Sequence, residues 1–369
     1  MERIAIAQPS WDDEMRVAAL ATLDSLRWVK GEQGRLFGDE FAHMCGAVHA
    51  TPCQSGSVAL WAALRLLGIG PGDEVIVPSL TYIATTTCVS LVGATPIFVD
   101  VEPNFWCIDL EQVKKAYNEK TKAVIGVHLF GQMYDPTLIE WCKKQGVALI
   151  EDAAQAHGAH MMVDGMLRGA GACGDIGIFS FFPSKNMAVG GEGGMLTTTL
   201  ESISNRMQAF VNHGRDATLE SFEVGSNLRM SEVSAAIGRI QLSRLGGWVE
   251  RRHVIAARYS AAFASARNFS VPAVREHTSH AWHQYCVLTE QPLELKQFLD
   301  HNGIDARIYY ATPCHRQKVF EGHPQYETSL KWTDEVGPRL VAIPVHHQLN
   351  DEEVDYVIEK MIEFSTKND

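Results

Sequence analysis

Short apolar runs recur along the first half of the chain, separated by polar or helix-like stretches. A run of about four to eight apolar residues between turn residues is typical of a buried strand. Residues 135–145, between two such runs, have helical spacing. Strands that alternate with helices predict a largely parallel sheet with helices on both faces. The predicted strands are residues 74–78, 96–100, 123–129, 147–151, 176–181 and 194–198.

Helical spacing predicts the elements around these strands. Acidic residues 12–14 suit the first turn of a helix that continues to about Leu26, before residues 28–31 break the pattern. A further helix is expected over residues 57–67, and a long one over residues 231–263 leads into a second domain. We therefore predict an N-terminal segment and large domain, followed by a small α/β domain. The predicted bounds are 1–245 and 246–369, with a strand at 282–289 and helices at 294–302 and 351–364.

Composition narrows the class of protein. The chain has 369 residues, 46% hydrophobic and 21% charged, which fits a globular protein of two domains. The formal net charge is −12 and the cationic residues form no basic stripe, so we expect no nucleic-acid partner. An anionic substrate would therefore need local hydrogen-bond donors for its capture.

The cysteines and the N-terminus point to a cytoplasmic protein. None of the eight cysteines has CxxC spacing, so a zinc site is not expected. The first residues lack the apolar stretch of a signal peptide. No window reaches the roughly 18 apolar residues of a membrane span, so we expect no membrane partner.

A lysine and a carboxylate follow two of the predicted strands. Asp152 comes directly after the run 147–151, and Lys185 follows the run 176–181 just before the glycine-rich stretch 190–194. Pyridoxal 5′-phosphate chemistry requires a lysine for the Schiff base and an acid that keeps the pyridine nitrogen protonated. The alternatives are a surface lysine and a helix-capping aspartate. We take Lys185 and Asp152 as the candidate catalytic residues.

Other polar residues suit the same cofactor. Ser55, Gly56 and Ser57 open a predicted helix, whose free N–H groups can bind a phosphate, and Ser180 could add a hydroxyl. An isolated Ser-Gly-Ser is more often a plain N-cap. Tyr82 could stack on a flat ring, although a buried tyrosine is more often core. Gln155, three residues after Asp152, could reach the ring hydroxyl.

The histidines give no sign of a metal centre, because their spacing does not bring several of them together. We expect a structural or substrate-contact role for each. These histidines include His128, His157, His213, His280 and His315.

Taken in order, the motifs resemble the DegT/DnrJ/StrS-type sugar aminotransferases, and the resemblance covers nearly the whole chain. This family has the type I fold of pyridoxal-phosphate enzymes, with a mostly parallel mixed sheet sandwiched by helices. The motifs that carry the resemblance lie at residues 28–31, 55–57, 72–75, 78–82, 127–131, 151–155, 179–185, 190–194, 212–216, 226–231 and 343–346.

The resemblance implies a role for each matching residue. Lys185 corresponds to the Schiff-base lysine and Asp152 to the partner of the pyridine nitrogen. Gln155 corresponds to the contact with the ring oxygen, and Tyr82 to the stacking aromatic. The implied phosphate ligands are Ser180, Gly56, Ser57 and, from the neighbouring subunit, Asn227.

The family's reaction implies the partners. We expect a homodimer with shared active sites, glutamate or glutamine as amino donor, and a keto sugar as acceptor. Lys30, Arg229 and His315 are candidate substrate contacts, and Arg307 could also serve a diphosphate. Ser226 and Leu228 stand where the family often has aromatic residues, so the acceptor pocket is expected to differ.

Several functions remain open from the sequence. The leading acceptor is a nucleotide-linked keto-hexose, and the alternative is a free keto-cyclitol or keto-sugar of the aminoglycoside type. A pyridoxal-phosphate sugar dehydratase is disfavoured because that branch replaces the lysine with histidine, whereas Lys185 is intact. A sensor that binds the cofactor without turnover is a third possibility.

Overall fold

The computed structural model describes residues 3–216 and 218–367. Helices occupy both ends of the described chain and alternate with strands through its first half. The α-helices are α1 (Asp13–Asp24), α2 (Glu32–Cys45), α3 (Gly56–Leu66), α4 (Ala84–Leu91), α5 (Leu110–Ala116), α6 (Thr137–Gln145), α7 (Glu201–Phe210), α8 (Glu232–Phe263), α9 (Pro292–His301), α10 (Lys331–Val336) and α11 (Asp351–Lys367).

The strands form a large sheet and two smaller ones. Strands of the large sheet are β1 (His49–Cys53), β2 (Glu74–Pro78), β3 (Thr95–Val99), β4 (Thr121–Val127), β5 (Ala148–Asp152), β8 (Ile176–Ser180) and β9 (Gly194–Thr198). The others are β6 (His160–Val163), β7 (Met166–Gly169), β10 (Phe269–Ser270), β11 (Thr278–Ser279), β12 (Tyr285–Thr289), β13 (Arg307–Ile308) and β14 (Leu340–Ile343).

The large sheet has the order β1-β9-β8-β5-β4-β2-β3. Its pairs from β8 to β3 are parallel, and β9 is antiparallel to both β8 and β1. Because the parallel strands run the same way, β5 and β8 end at the same edge of the sheet, with Asp152 and Ser180 as their last residues. Open α/β sheets bind ligands at this edge.

Helices cover the sheet on both faces, as the apolar runs predicted. On one side, α2 packs on α8 and β1, and its Phe41 ring lies 4.8 Å from that of Phe179 in β8. Phe37 of α2 meets Phe181 at 5.3 Å. These aromatic contacts fix the chain just ahead of Lys185, so the position of the lysine depends on core packing.

A second hydrophobic core lies around β12 and β14. The long helix α8 contributes to both cores, with Leu245 and Val249 in the first and Ile255 and Tyr259 in the second. Ile4, from the other end of the chain, also packs in the second core. The predicted boundary at residues 245/246 falls within α8 and stays a prediction.

A buried carboxylate fixes the loop that leads into β8. Glu151 is fully buried and accepts hydrogen bonds from the backbone N–H groups of Gly171 (3.1 Å), Cys173 (2.6 Å) and Gly174 (2.7 Å). Its Oε2 also lies 2.9 Å from Nε2 of His128. Burial alone would raise the pKa of Glu151, but His128 and these N–H groups lower it below the ordinary value.

A segment from the C-terminal part of the chain covers the open edge of strand β3. The Gln325 side chain accepts from the N–H of Phe98 and donates to its carbonyl, both at 2.9 Å, in the manner of a neighbouring strand. Asp100 accepts from the backbone N–H groups of Trp332 and Thr333, each at 2.8 Å. Residues 325–333 are thereby attached to the edge of the large sheet.

Two features are absent from residues 3–216 and 218–367. None of the described helices combines the length and hydropathy needed to cross a bilayer. Within the same residues, no three His, Cys, Asp or Glu side chains are grouped so that they could hold a metal ion.

Candidate active site

A cavity of about 1110 Å³ opens at the edge where the parallel strands end. The loops after β2, β4, β5 and β8 supply one side of it, and the segments before β12 and after β13 supply the other. Of the predicted site residues, the cavity brings together Ser55, Gly56, Ser57, Tyr82, Asp152, Gln155, Ser180, Lys185 and Arg229.

Lys185 lies on a tight turn after β8, where its backbone N–H donates to the carbonyl of Phe182 at 2.8 Å. The side chain is partly buried and lines the cavity. Burial lowers the pKa of Lys185 to about 8, and the nearby charge of Asp152 opposes this shift. A substantial fraction of the amine is therefore neutral near pH 8, as a nucleophile or base requires.

Asp152 is buried at the end of β5, and each of its carboxylate oxygens accepts a hydrogen bond from the protein. Oδ2 accepts from the hydroxyl of Thr85 at 2.8 Å, and Oδ1 accepts from the N–H of Ala154 at 3.2 Å. Burial raises the pKa of Asp152, while these hydrogen bonds and the charge of Lys185 lower it. A cationic partner in the cavity would favour the ionised carboxylate.

Gln155 links two loops across the cavity. Its Oε1 accepts from the N–H of Phe130 at 2.7 Å, and its Nε2 donates to the hydroxyl of Tyr310 at 3.0 Å. The rings of Phe130 and Tyr310 are stacked with centroids 6.3 Å apart. Because one N–H of the amide serves Tyr310, the other is available to a ligand in the cavity.

The N-terminus of α3 packs tightly against the end of β8. A Cβ on Gly56 would lie 2.7 Å from Cβ of Ser180, so only glycine permits this approach. Ser55 caps α3 by accepting from the N–H of Val58 at 3.2 Å, as the plain N-cap interpretation predicts. The first N–H groups of α3 and the Ser180 hydroxyl thus share one corner of the cavity, suited to an anion.

Tyr82 is 57% exposed although it belongs to the wall of the cavity. The core interpretation of this residue is therefore wrong. An exposed aromatic ring in the wall that also contains Asp152 and Gln155 is suited to contact a planar ligand.

Four of the predicted residues are absent from the lining of this cavity. Three of them are exposed on the surface: Lys30, Asn227 and Arg307. His315 is fully buried, with Nδ1 2.6 Å from the Ser79 hydroxyl and Nε2 3.0 Å from the Thr328 carbonyl. Both of its ring nitrogens are therefore occupied by the protein itself.

The structure also brings in residues that the sequence analysis did not single out. Thr85, Tyr310, His283 and Gln284 all lie in or beside the cavity. Only the polar pair 283–284 at the start of an apolar strand was a signal that sequence reasoning could have used. Burial and the charge of Lys185 hold the pKa of His283 well below its ordinary value.

Comparison with known proteins agrees with this geometry. The sequence profile of the DegT/DnrJ/EryC1/StrS aminotransferase family matches residues 9–362. The chain belongs to this family. The resemblance inferred from the motifs is confirmed, and so are the predicted fold class and the transaminase assignment.

One relative within this aminotransferase family is the UDP-N-acetyl-3-dehydro-alpha-D-glucosamine 3-aminotransferase of Acidithiobacillus ferrooxidans. It is 36% identical over 343 residues, which cover 93% of this chain and 91% of the relative. Its name identifies that protein as an enzyme acting on a nucleotide-linked keto sugar.

Two solved structures match the whole fold. S. venezuelae DesV superposes with a TM-score of 0.92 at 36% identity, over 96% of this chain and 94% of that one. The PLP-form of the putative sugar aminotransferase Spr1654 from Streptococcus pneumoniae gives 0.90 at 26% identity, over 99% of each chain.

Proposed function

We propose that this aminotransferase uses pyridoxal 5′-phosphate to move an amino group from glutamate or glutamine to a keto sugar, with a nucleotide-linked keto-hexose as the acceptor class. The observation that carries the proposal is the joint presence of Lys185 and Asp152 in one cavity, with their charges coupled. The named activity of the A. ferrooxidans relative supports the acceptor class.

The residues present fit the cofactor. The close approach of Gly56 to Ser180 leaves the α3 N-terminus open to a phosphate, with Ser57 beside it. Tyr82 offers a ring face, and Gln155 retains a free N–H for the ring oxygen. When bound, the cofactor supplies an electron sink for the carbon that loses its proton.

Lys185 would act twice in this proposal. Its Nζ would hold the cofactor at rest and, once displaced by the donor amine, would take the proton from the donor α-carbon and deliver it to the cofactor carbon from which Nζ was displaced, C4′. A pKa of about 8 suits an amine that must both accept and release a proton near neutral pH. Asp152 would stabilise positive charge on the ring nitrogen, with its carboxylate oriented by Thr85.

We also propose that a homodimer completes the site. Asn227 is exposed and outside the cavity of its own chain, while Arg229, two residues on, lines it. This arrangement suits a residue that reaches the phosphate of a partner's site. Lys30 stays a candidate substrate contact, since it too could reach the site of a partner. His315 is left out because both of its ring nitrogens already have partners within the protein.

Mixing two inactive variants tests the shared site. If Lys185 and Asn227 act in one cavity from different subunits, a hybrid of Lys185→Ala and Asn227→Ala subunits contains one intact site. Activity should then return when the two variants are unfolded together and refolded. A mixture that stays inactive while sedimenting as a dimer would show that the subunits do not share these residues.

An acceptor screen tests the reaction itself. The purified protein is supplied with pyridoxal phosphate, α-¹⁵N-glutamate or α-¹⁵N-glutamine, and UDP- or dTDP-linked 3-keto and 4-keto hexoses, and products are analysed by mass spectrometry. We expect a ¹⁵N-labelled amino sugar from a nucleotide-linked acceptor and none with Lys185→Ala. Amination of a free keto-cyclitol alone, or deoxygenation without nitrogen transfer, would contradict the proposal.

A further inference from the structure

Two residues of the cavity wall, Arg229 and Gln284, each have a buried polar side-chain atom without a partner among the described residues, and only the Gln284 atom is an acceptor. Gln284 is only 5% exposed, yet its Oε1 has no hydrogen bond among the described residues. In each of the other buried glutamines the side-chain oxygen has a protein donor and the side-chain nitrogen a protein acceptor: Gln132 binds Arg275 N and Met133 O, Gln155 binds Phe130 N and Tyr310 Oη, and Gln241 binds Ala188 N and Ser10 O. Gln284 differs from them in lining the cavity without a protein partner for this oxygen, a feature that calls for an explanation.

The direction of the Gln284 side chain follows from its place in the chain. Its neighbour Tyr285 begins β12 and points into the second core, where its hydroxyl lies 2.9 Å from that of Ser260. Successive side chains of an extended segment point to opposite sides, so Gln284 points away from the second core, and it is among the residues that line the cavity. Its backbone N–H donates to the carbonyl of Phe130 at 3.3 Å, which attaches it to the loop beside Gln155.

The chemistry of the atom restricts what can bind it. An amide oxygen only accepts hydrogen bonds, so its partner must carry an O–H or N–H group. An ionised carboxylate or phosphate has none to offer, so an amino donor could reach this oxygen only through its amino group or, in glutamine, its side-chain amide. A sugar ring has several, in its hydroxyl and acylamino substituents.

We propose that Gln284 binds the acceptor sugar, its Oε1 accepting a hydrogen bond from a hydroxyl or amide N–H of the ring, and that it selects acceptors bearing that group. The inference rests on the proposed function, since it assumes a keto-sugar acceptor. It assigns Gln284 to the second half-reaction, in which the sugar is aminated, and gives it no part in the first. Replacement by leucine keeps the volume and removes both polar atoms.

The test compares matched acceptors in wild type and Gln284→Leu. The parent is UDP-N-acetyl-3-dehydro-glucosamine, and each of three analogues lacks one donor: the 4-deoxy, the 6-deoxy and the 2-O-acetyl compounds. We expect wild type to prefer the parent over one analogue by about tenfold to a hundredfold in kcat/KM, as for one hydrogen bond to a buried group. In Gln284→Leu this preference should fall to within about twofold, and the amino-donor half-reaction, followed by absorbance, should be unchanged.

Gln132→Leu is the matched control, because Gln132 is buried and fully bonded outside the cavity. It should lower stability and leave the acceptor preference intact. If Gln284→Leu retained the full preference, or lost the donor half-reaction equally, the assignment of Gln284 would be wrong although the enzyme still aminated the parent. If wild type aminated no nucleotide-linked keto sugar, the proposed function itself would fail, and the assignment with it.

Discussion

The hydroxyl of Thr85 donates a hydrogen bond of 2.8 Å to Oδ2 of Asp152. Thr85 is fully buried in the first turn of α4, and its oxygen also lies 2.9 Å from the hydroxyl of Thr81. The hydroxyl pair therefore holds the carboxylate in one orientation from the loop after β2. It also favours the ionised form of Asp152 against the effect of burial.

Removing the Thr85 hydroxyl should raise the pKa of Asp152 and so make it a weaker acid. Thr85→Val keeps the shape but raises the pKa of Asp152 further, so less carboxylate remains to pair with the pyridine nitrogen. We expect kcat to fall about tenfold to a hundredfold, because a hydrogen bond to a charged group is worth about 1.5–3 kcal/mol. Steady-state kinetics and the pH dependence of the bound cofactor's absorbance measure the effect.

Thr85→Ser separates the effect of the hydroxyl from the effect of side-chain packing. It retains the donor and should stay within about threefold of wild type in kcat, with an unshifted absorbance titration. Equal losses in the valine and serine variants would mean that the methyl group matters and the hydrogen bond does not.

The protonation of Lys185 gives a second prediction. In protein stripped of cofactor, the pKa of about 8 means that the amine becomes neutral as the pH rises through 8. Reductive methylation followed by mass spectrometry should therefore show a midpoint near pH 8 at Lys185, below the roughly 10.4 of an ordinary lysine. A midpoint above pH 10 would contradict the burial seen for this side chain.

The sign of the coupling to Asp152 can be tested in the same assay. The carboxylate favours the charged amine, so it raises the pKa of Lys185. Asp152→Asn should lower the midpoint below that of wild type. A rise in the midpoint would show that the two groups are not coupled as described.

The close approach at the phosphate corner gives a third prediction. In Gly56→Ala the new Cβ would lie 2.7 Å from Cβ of Ser180, so the α3 N-terminus must shift. We expect a loss of about 1–3 kcal/mol in unfolding free energy, typical of overpacking, together with weaker binding of pyridoxal phosphate. Denaturant titration and equilibrium dialysis measure the two effects.

A second substitution, at Ser180, distinguishes the steric effect of the new Cβ from the loss of a phosphate-binding hydroxyl. Gly56→Ala combined with Ser180→Gly removes the opposing Cβ and should restore stability, whereas cofactor affinity should stay low because the hydroxyl is lost. Recovery of both properties would rule out Ser180 as a phosphate ligand.

Glu151 gives a prediction about stability. Glu151→Gln places an amide among three N–H donors that require an acceptor, and should cost about 2–4 kcal/mol at neutral pH. Because the folded-state pKa of Glu151 is lowered, its contribution is present above the unfolded value of about 4.3 and is lost as the pH falls through the folded value. Denaturant titrations should therefore show the difference between wild type and variant shrinking below about pH 4.

The exposed Glu201, which pairs with His49 at 2.7 Å, is the control for this measurement. Glu201→Gln should change stability by less than about 0.5 kcal/mol. A similar loss in both variants would mean that burial of the Glu151 carboxylate carries no special weight.

The strands of the sheet centre could be predicted because burial on both faces leaves little but apolar residues. The runs at 74–78 and 194–198 match β2 and β9, and the long helix begins within one residue of its predicted start. The edge strand β1 was missed because its sequence contains Pro52 and lacks a continuous apolar run, which an edge position tolerates.

The hairpin of β6 and β7 was also missed, although its signal was present. Asp164 and Gly165 both have positive φ, 51° and 74°, as a two-residue type I′ turn requires. By contrast, no local pattern indicated that Tyr310 would reach Gln155, since 155 residues separate them. Residues that follow the sheet strands could be predicted for the cavity, whereas those from the C-terminal part of the chain depend on tertiary packing.

The most direct test of the account is to locate the bond between the protein and its cofactor. The enzyme is incubated with pyridoxal phosphate, reduced with borohydride, digested and mapped by mass spectrometry. The account predicts a pyridoxyl group on Lys185 and its loss in Lys185→Ala. A pyridoxyl group on another lysine, or none on the wild-type protein, would contradict it.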